Sequence, residues 1–373
     1  MKKLSTHSLK RHFIPAKSFR LLIACAFSCL LFNTGCDSDD DDKNNGTSST
    51  YSQVNLVADA NGYGAAKVDT NFTNAWGISF GPTGIFWIAS NGKGVIDVYD
   101  RDGNLKLAAV AVPAHGDRFG GAPTGGVTNT TSDFVINANG QPAKFIYAGE
   151  DGTIHAWNAG DSTRTVADRT STDAIYKGIA IANDGGANFL YVTNFKGRKI
   201  DVFDKNFNYV SSKPFADPNI PADFGPFNIQ NINGNLYVTY AKLKGPDNED
   251  DEKGAGNGYV NVFSPNGTLI KRFASQGTLN SPWGIALAPS GFGKFKDAIL
   301  IGNFGDGRIS AFDTNGTYLG QLQTSNNNVL VIEGLWGLVF PQNGVPAGDQ
   351  NQLFFTAGPN DEKNGLFGYI KPD

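Results

Sequence analysis

The sequence repeats itself about every fifty residues, and that period limits the fold more than any other feature. The clearest copy begins Asn74-Ala75-Trp76-Gly77-Ile78-Ser79-Phe80 and continues as Phe86-Trp87-Ile88-Ala89-Ser90. After Asn91-Gly92-Lys93-Gly94 it resumes as Val95-Ile96-Asp97-Val98-Tyr99-Asp100. An echo starts at Ser281-Pro282-Trp283-Gly284-Ile285-Ala286-Leu287, and weaker copies open at Pro123, Tyr176, Pro226 and Leu335. With positions 77, 125, 178, 228, 284 and 337 as markers, the successive spacings are 48, 53, 50, 56 and 53.

A period near fifty with about four strand-like runs per copy is the pattern of a β-propeller blade. In the first copy the strands are expected at 76–80, 86–90, 95–100 and 105–112. Asp102-Gly103, Asn266-Gly267 and Asn315-Gly316 fall between the third and fourth runs, where hairpins need φ > 0. The sixth copy has strands at 335–340, 353–356 and 366–370 and then lacks a fourth, whereas the run 52–58 precedes the first copy and has no blade of its own. An open ring would leave two sheet edges unpaired. An all-β, six-bladed propeller of four-stranded blades is therefore predicted, closed by strand 52–58 joining the last blade, so that 51–373 is one domain.

Composition agrees. The chain has 46 glycines in 373 residues, 40% hydrophobic and 12% aromatic residues, which excludes disorder. A net charge of −4 gives no electrostatic footprint for nucleic acid. That charge sums two opposed parts. Lys2, Lys3, Lys10, Arg11, Lys17 and Arg20 stand in the first 20 residues with no acid among them, and the apolar run Leu21–Phe32 follows. Such a segment reads as a secretory signal, too short to span a bilayer. Without residues 1–35, 25 basic against 35 acidic residues leave about −10. All three cysteines (Cys25, Cys29, Cys36) lie in this region, so the repeat region has no disulfide or thiolate site.

The stretch Leu31-Phe32-Asn33-Thr34-Gly35-Cys36 resembles a bacterial lipoprotein signal, with Asn33 where leucine is usual. The resemblance implies cleavage after residue 35 and lipidation, with palmitate among the acyl chains, at Cys36. Residues 36–50, with Asp37-Ser38-Asp39-Asp40-Asp41-Asp42-Lys43, are expected to be a polar tether. Similar acidic tracts direct lipoproteins to the cell surface in one group of Gram-negative bacteria; the bland alternative is a spacer. The expected location is lipid-anchored at the outer membrane, periplasmic or surface-facing, as a monomer.

The runs Asn74–Phe80, Phe145–Gly152, Phe227–Ile232, Asn280–Gly284, Gly302–Gly307 and Thr356–Glu362 resemble a conserved, uncharacterised family of exported bacterial NHL-like six-bladed propellers. That family is similar in fold to the calcium-dependent phosphotriesterase and gluconolactonase group. The likeness implies a fold and a compartment, and raises Ca²⁺ as a cofactor.

Innermost strands open at Trp76, Thr124, Lys177, Phe227, Trp283 and Trp336. The second-to-third turns facing them carry Asn91, Glu150, Asp151, Asn194, Asn303, Asp306, Asn360 and Asp361. Together they ring one mouth of the channel, the default ligand site of such a fold. The tryptophans suit stacking on a flat ligand or, as repeated residues, a repeated packing problem. Lys177, Glu150 and Phe227 differ between copies, which points to use rather than packing.

Two insertions interrupt the period. The segment 242–258 carries Asp247, Glu249, Asp250, Asp251 and Glu252, but Glu252 stands where a calcium loop needs glycine. The segment 113–123 holds His115, Asp117 and Arg118, and only His155 joins His115 beyond the leader, so a multi-histidine centre is excluded. The expected function is a binding scaffold for a glycan, peptide or protein at the channel mouth. The alternative is a calcium-dependent hydrolase of esters or lactones, with Glu150, Asn194, Asn303 and Asp306 as the ligand set the resemblance implies.

Overall fold

The computed structural model describes residues 48–373 apart from Asn343. The expected signal 1–35, Cys36 and all but the last three residues of the 36–50 tether lie outside them. Six antiparallel sheets follow one another around an axis, each running outward from its inner strand in chain order except the sixth, whose outer strands come from the N-terminal end of the repeat region. The first blade is Ala75–Phe80, Phe86–Ser90, Val95–Tyr99 and Leu105–Ala111, within a residue or so of the expected runs. The inner strands of the next five are Pro123–Thr128, Tyr176–Asp184, Phe224–Ile232, Pro282–Leu287 and Leu335–Val339.

Closure follows the prediction. Tyr51–Ala58 pairs antiparallel with Leu366–Pro372, from Tyr51↔Pro372 to Ala58↔Leu366. It is thus the fourth strand of the sixth blade, and the short strand Lys67–Val68 adds a parallel fifth. Tyr51 locks the seam to blade five. Its ring lies 4.9 Å from Phe292, and its hydroxyl donates to Phe292 O and accepts from Phe295 N–H, each at 3.2 Å. Burial pushes this phenol up to about 12, against the Phe295 hydrogen bond.

Alternation of side chains across each sheet sends one set to each neighbour. In blade one Ile88 packs toward blade six, while Trp87 and Ala89 pack toward blade two. Six buried clusters result, one at each blade–blade interface. The outer hairpins use a three-residue loop rather than a two-residue one. Gly103, Gly267 and Gly316 have φ of +77°, +91° and +99°, whereas the Asp or Asn before each does not enter the left-handed region. This is a turn followed by one left-handed residue. Asp100 and Asp313 close it by accepting backbone N–H bonds, and in blade three Phe207 takes the glycine position at φ +64°.

At the marker positions every inner strand slips register against its partner: between Ala75 and Ile78, Tyr176 and Ile179, Pro226 and Asn228, Pro282 and Gly284, Leu335 and Leu338, and opposite Tyr147–Gly149 in blade two. These bulges bring adjacent inner strands almost into backbone contact. A Cβ on Gly77 would lie 2.4 Å from Thr124 O, and one on Gly125 2.8 Å from Gly178 Cα. A Cβ on Gly284 would meet Trp336 O at 2.7 Å. Buried threonines serve the N–H groups the bulges free. Thr193 accepts from Gly178 N–H at 2.7 Å and donates to Phe227 O at 3.3 Å in the next blade, and Thr356 accepts from Gly337 N–H and donates to Trp76 O.

Gly337 has an ordinary negative φ, so only space forbids a side chain: a Cβ there would lie 2.6 Å from Thr356 Oγ1 and 2.8 Å from Trp76 O. Overpacking of this kind costs about 1–3 kcal/mol. Gly337→Ala should lower the melting temperature clearly, whereas Gly344→Ala, which meets nothing within 4 Å but carries the strain of φ +81°, reports strain alone. Equal effects of the two would refute the close-approach account.

Candidate functional site

The expected aromatic residues do converge at the mouth where the inner strands begin. Trp76, Phe227, Trp283 and Trp336 form one buried cluster with Phe195, Phe304, Ala241 and Leu243. Trp336 is sandwiched, with Trp76 at 3.6 Å on one stack and Phe304 at 3.8 Å on the other, and Trp283 meets it edge-on at 5.7 Å. Both readings of the tryptophans meet here: they pack against one another and so make an aromatic floor across the axis. Trp336 Nε1 donates to Asn74 Oδ1 at 3.1 Å. Trp76 Nε1 and Trp283 Nε1 are buried without a protein partner. Such unpaired donors are rare in native interiors.

A charged network lies on this floor. Lys177 is 2% exposed, contacts Glu150 directly, and places its ammonium 5.1 Å from the Trp76 ring. Burial alone would lower its pKa, but Glu150, with Asp250 and Asp251 adding, outweighs burial and holds it above the ordinary lysine range. Glu150 in turn accepts from Asn91 Nδ2 at 2.9 Å, and Asn74 Nδ2 donates to Glu362 at 2.9 Å and Asn91 at 3.4 Å. Burial pushes the Glu362 carboxyl up.

Segment 242–258 reaches over the same floor. Its acids splay apart instead of converging: Glu252 pairs with Lys242 at 2.9 Å, Glu249 with Lys196 at 3.0 Å, and Asp250 lies 3.9 Å from Lys177. Asp251 turns a shielded oxygen toward the Ser281 hydroxyl, and burial raises its pKa against that contact. Lys253 sets its ammonium 4.1 Å over the Phe304 ring and forms no ion pair among the described residues.

The remaining candidates serve their own turns. Asn194 donates to Asp201 at 3.1 Å and accepts from Gly197 N–H at 2.9 Å. Asn303 donates to Thr278 O at 2.7 Å and to Asp306 at 3.0 Å, and Asp306 also accepts from Arg308 N–H. Asp151 accepts from His115 N–H and from Thr153. His115 pairs with Asp168 at 2.8 Å, not with Asp117, on an exposed rim. The set Glu150, Asn194, Asn303 and Asp306 does not fit a shared calcium ion, because Asn303 and Asp306 bond each other within one turn while Asn194 serves Gly197 and Glu150 faces Lys177 and Asn91. Among the described residues no group of three or more His, Cys, Asp or Glu side chains is arranged to hold a metal.

Sequence reasoning missed Asn74, Lys253, Phe304 and Glu362 as members of this mouth, and named Asp251 only as one acid of the 242–258 insertion. Asn74 stands where the echo at Trp283 has Ser281, so no repeated residue type marked it.

The Lys177–Glu150 pair gives an asymmetric test. Glu150→Gln strands a buried ammonium, a change that costs about 3–5 kcal/mol. Lys177→Met leaves Glu150 with 29% of its side chain exposed and still bonded to Asn91, so it should cost less. Urea unfolding of both variants checks the order, and the reverse order would contradict it.

No known protein-family model matches the chain. It is 36% identical over 324 residues to uncharacterized protein R648 of Acanthamoeba polyphaga mimivirus, covering 83% of this chain and 77% of that one. It is 34% identical over 337 residues to uncharacterized protein L690 of the same virus, covering 86% of each. Among solved structures, virginiamycin B lyase from Staphylococcus aureus superposes with a TM-score of 0.51 at 13% identity, over 86% of this chain and 99% of that one, a likeness of fold alone. The chain belongs to the family of six-bladed propellers represented by the mimivirus proteins R648 and L690.

Proposed function

We propose that the protein is an exported, lipid-anchored interaction scaffold that binds a lysine-bearing peptide or protein segment at the aromatic mouth. The observation that carries this reading is the pair of ammonium groups already lying on the floor, Lys177 over Trp76 and Lys253 over Phe304, amid Glu150, Asp250, Asp251 and Glu362. Aromatic faces ringed by carboxylates attract ammonium ions. Lys177 is fixed by burial and its ion pair. Lys253 is exposed and held by a ring contact that is worth about 0.5–1 kcal/mol, so a partner's lysine can take its place. The Asp251 carboxylate would then receive that ammonium, and the unpaired Trp283 N–H a backbone carbonyl. A net charge near −10 beyond residue 35 favours encounter with basic partners.

On a peptide array, lysine-containing peptides should bind and their acetyl-lysine copies should not. Asp251→Asn should weaken the best peptide at least about tenfold, or 1.4 kcal/mol. Equal signals from lysine and acetyl-lysine copies would sink the reading.

Export and anchoring rest on the basic leader, the apolar run and Cys36. Expressed in a Gram-negative host, the protein should fractionate with membranes and Cys36→Ala should appear in the soluble periplasmic fraction. Unchanged fractionation would remove the anchor from the proposal.

A further inference from the structure

The opposite mouth, where the inner strands end, differs in kind. It opens into a cavity of about 600 Å³ whose wall is built from the ends of the inner strands of blades one, two, three, four and six. A second recess of about 490 Å³ over blades four to six shares Gln230, Asn231, Leu338, Val339 and Gln342 with it. Cavities of this size are typical of small-molecule sites. No Asp, Glu, Lys, Arg or His lines either space, in a chain that is 18% charged.

What lines the two spaces instead is amide, hydroxyl and aliphatic, with one aromatic ring in each, Phe80 and Phe340. Asn231 is fixed, donating to Ile181 O at 2.9 Å and accepting from Gly234 N–H at 3.0 Å. The Asn188 amide is likewise held by Asp133 at 2.9 Å. The Gln230 and Gln342 carboxamides, by contrast, have no hydrogen-bond partner among the described residues. Each offers two donors and an acceptor. Leu338 and Val339 line the same wall and add an apolar surface to these hydrogen-bonding groups.

We infer that this mouth is a second binding site, for a compact, neutral, polyhydroxylated ligand of the carbohydrate class. Sugar hydroxyls donate and accept at once, as carboxamides do, and the C–H face of a sugar ring packs on aliphatic side chains. A charged ligand would find no counter-charge here. An extended peptide is bound by adding to a long strand edge, and this wall offers only short strand ends converging on an axis. The site is independent of the lysine-binding mouth, since no residue is common to the two.

The test is titration calorimetry of the full mature chain with N-acetylglucosamine, galactose, maltose and cellobiose, and with N-acetylglycine methylamide as the compact peptide probe. At least one sugar should bind, and the double variant Gln230→Ala/Gln342→Ala should weaken it at least about tenfold with its melting temperature unchanged. Asp251→Asn, which should weaken lysine-peptide binding at the other mouth, should leave sugar binding intact. Absence of binding by every sugar, full retention of binding in the double variant, or tighter binding of the peptide probe would each overturn the inference. Failure of lysine-peptide binding alone would count only against the aromatic-mouth proposal.

Discussion

The structure depends on how closely its six inner strands approach one another. Each inner strand slips register beside its marker position, and at five of the six that marker is glycine, set against the backbone or side chains of the following inner strand. Bulges free N–H groups that would otherwise be buried without a partner. Threonines on second strands satisfy some of them and bond onward to the next blade, so the same atoms that repair a bulge also tie neighbouring blades. Blade four departs from the rule with Asn228. Its side chain fills the space beside Gly178 and its amide donates to Trp283 O at 2.8 Å, making the contact to blade five through a side chain.

A ring drawn this tight has little room on its axis, and the two ends of the axis are finished differently. Where the strands begin, aromatic side chains meet across the centre and stack, so the channel is plugged and the chemistry moves onto the plug. Where they end, no such stack of rings crosses the axis: the wall is mostly aliphatic, hydroxyl and amide side chains, and the space stays open. One mouth is thus ionic and filled by the protein's own lysines, the other neutral and hollow.

The fold was legible because repetition exposes it. Six spaced copies located the blades, and the missing fourth strand of the last copy with the orphan run 52–58 located the seam. The marker glycines read as strand starts, but their reason, contact between different blades, cannot be seen within one copy. The site was half legible. Lys177 and Glu150 stood out as unrepeated and do meet, whereas Asn194, Asn303 and Asp306 repeat a turn motif and serve their turns. Asp251 was visible only as one acid of segment 242–258 and Lys253 was hidden, because the conformation of that segment is set by ion pairs to Lys177, Lys196 and Lys242, which come from two blades.

Symmetry then tells where function can reside. Residues that recur in every blade answer a requirement that recurs, such as the bulge, the hairpin or the interface core. Specificity needs residues that occur once. At the aromatic mouth these are Lys177, which replaces the tryptophan of other copies, and the long turn of blade four that covers it. At the open mouth they are Gln230 and Gln342, which stand on blades four and six and face no protein partner. Blade four takes part in both, and it also carries the one marker that is not glycine. The ring tolerates this departure because Asn228 supplies through its amide the contact that close backbone approach supplies elsewhere. Blade four is therefore where this propeller is least constrained by its own repetition and freest to be shaped by what it binds.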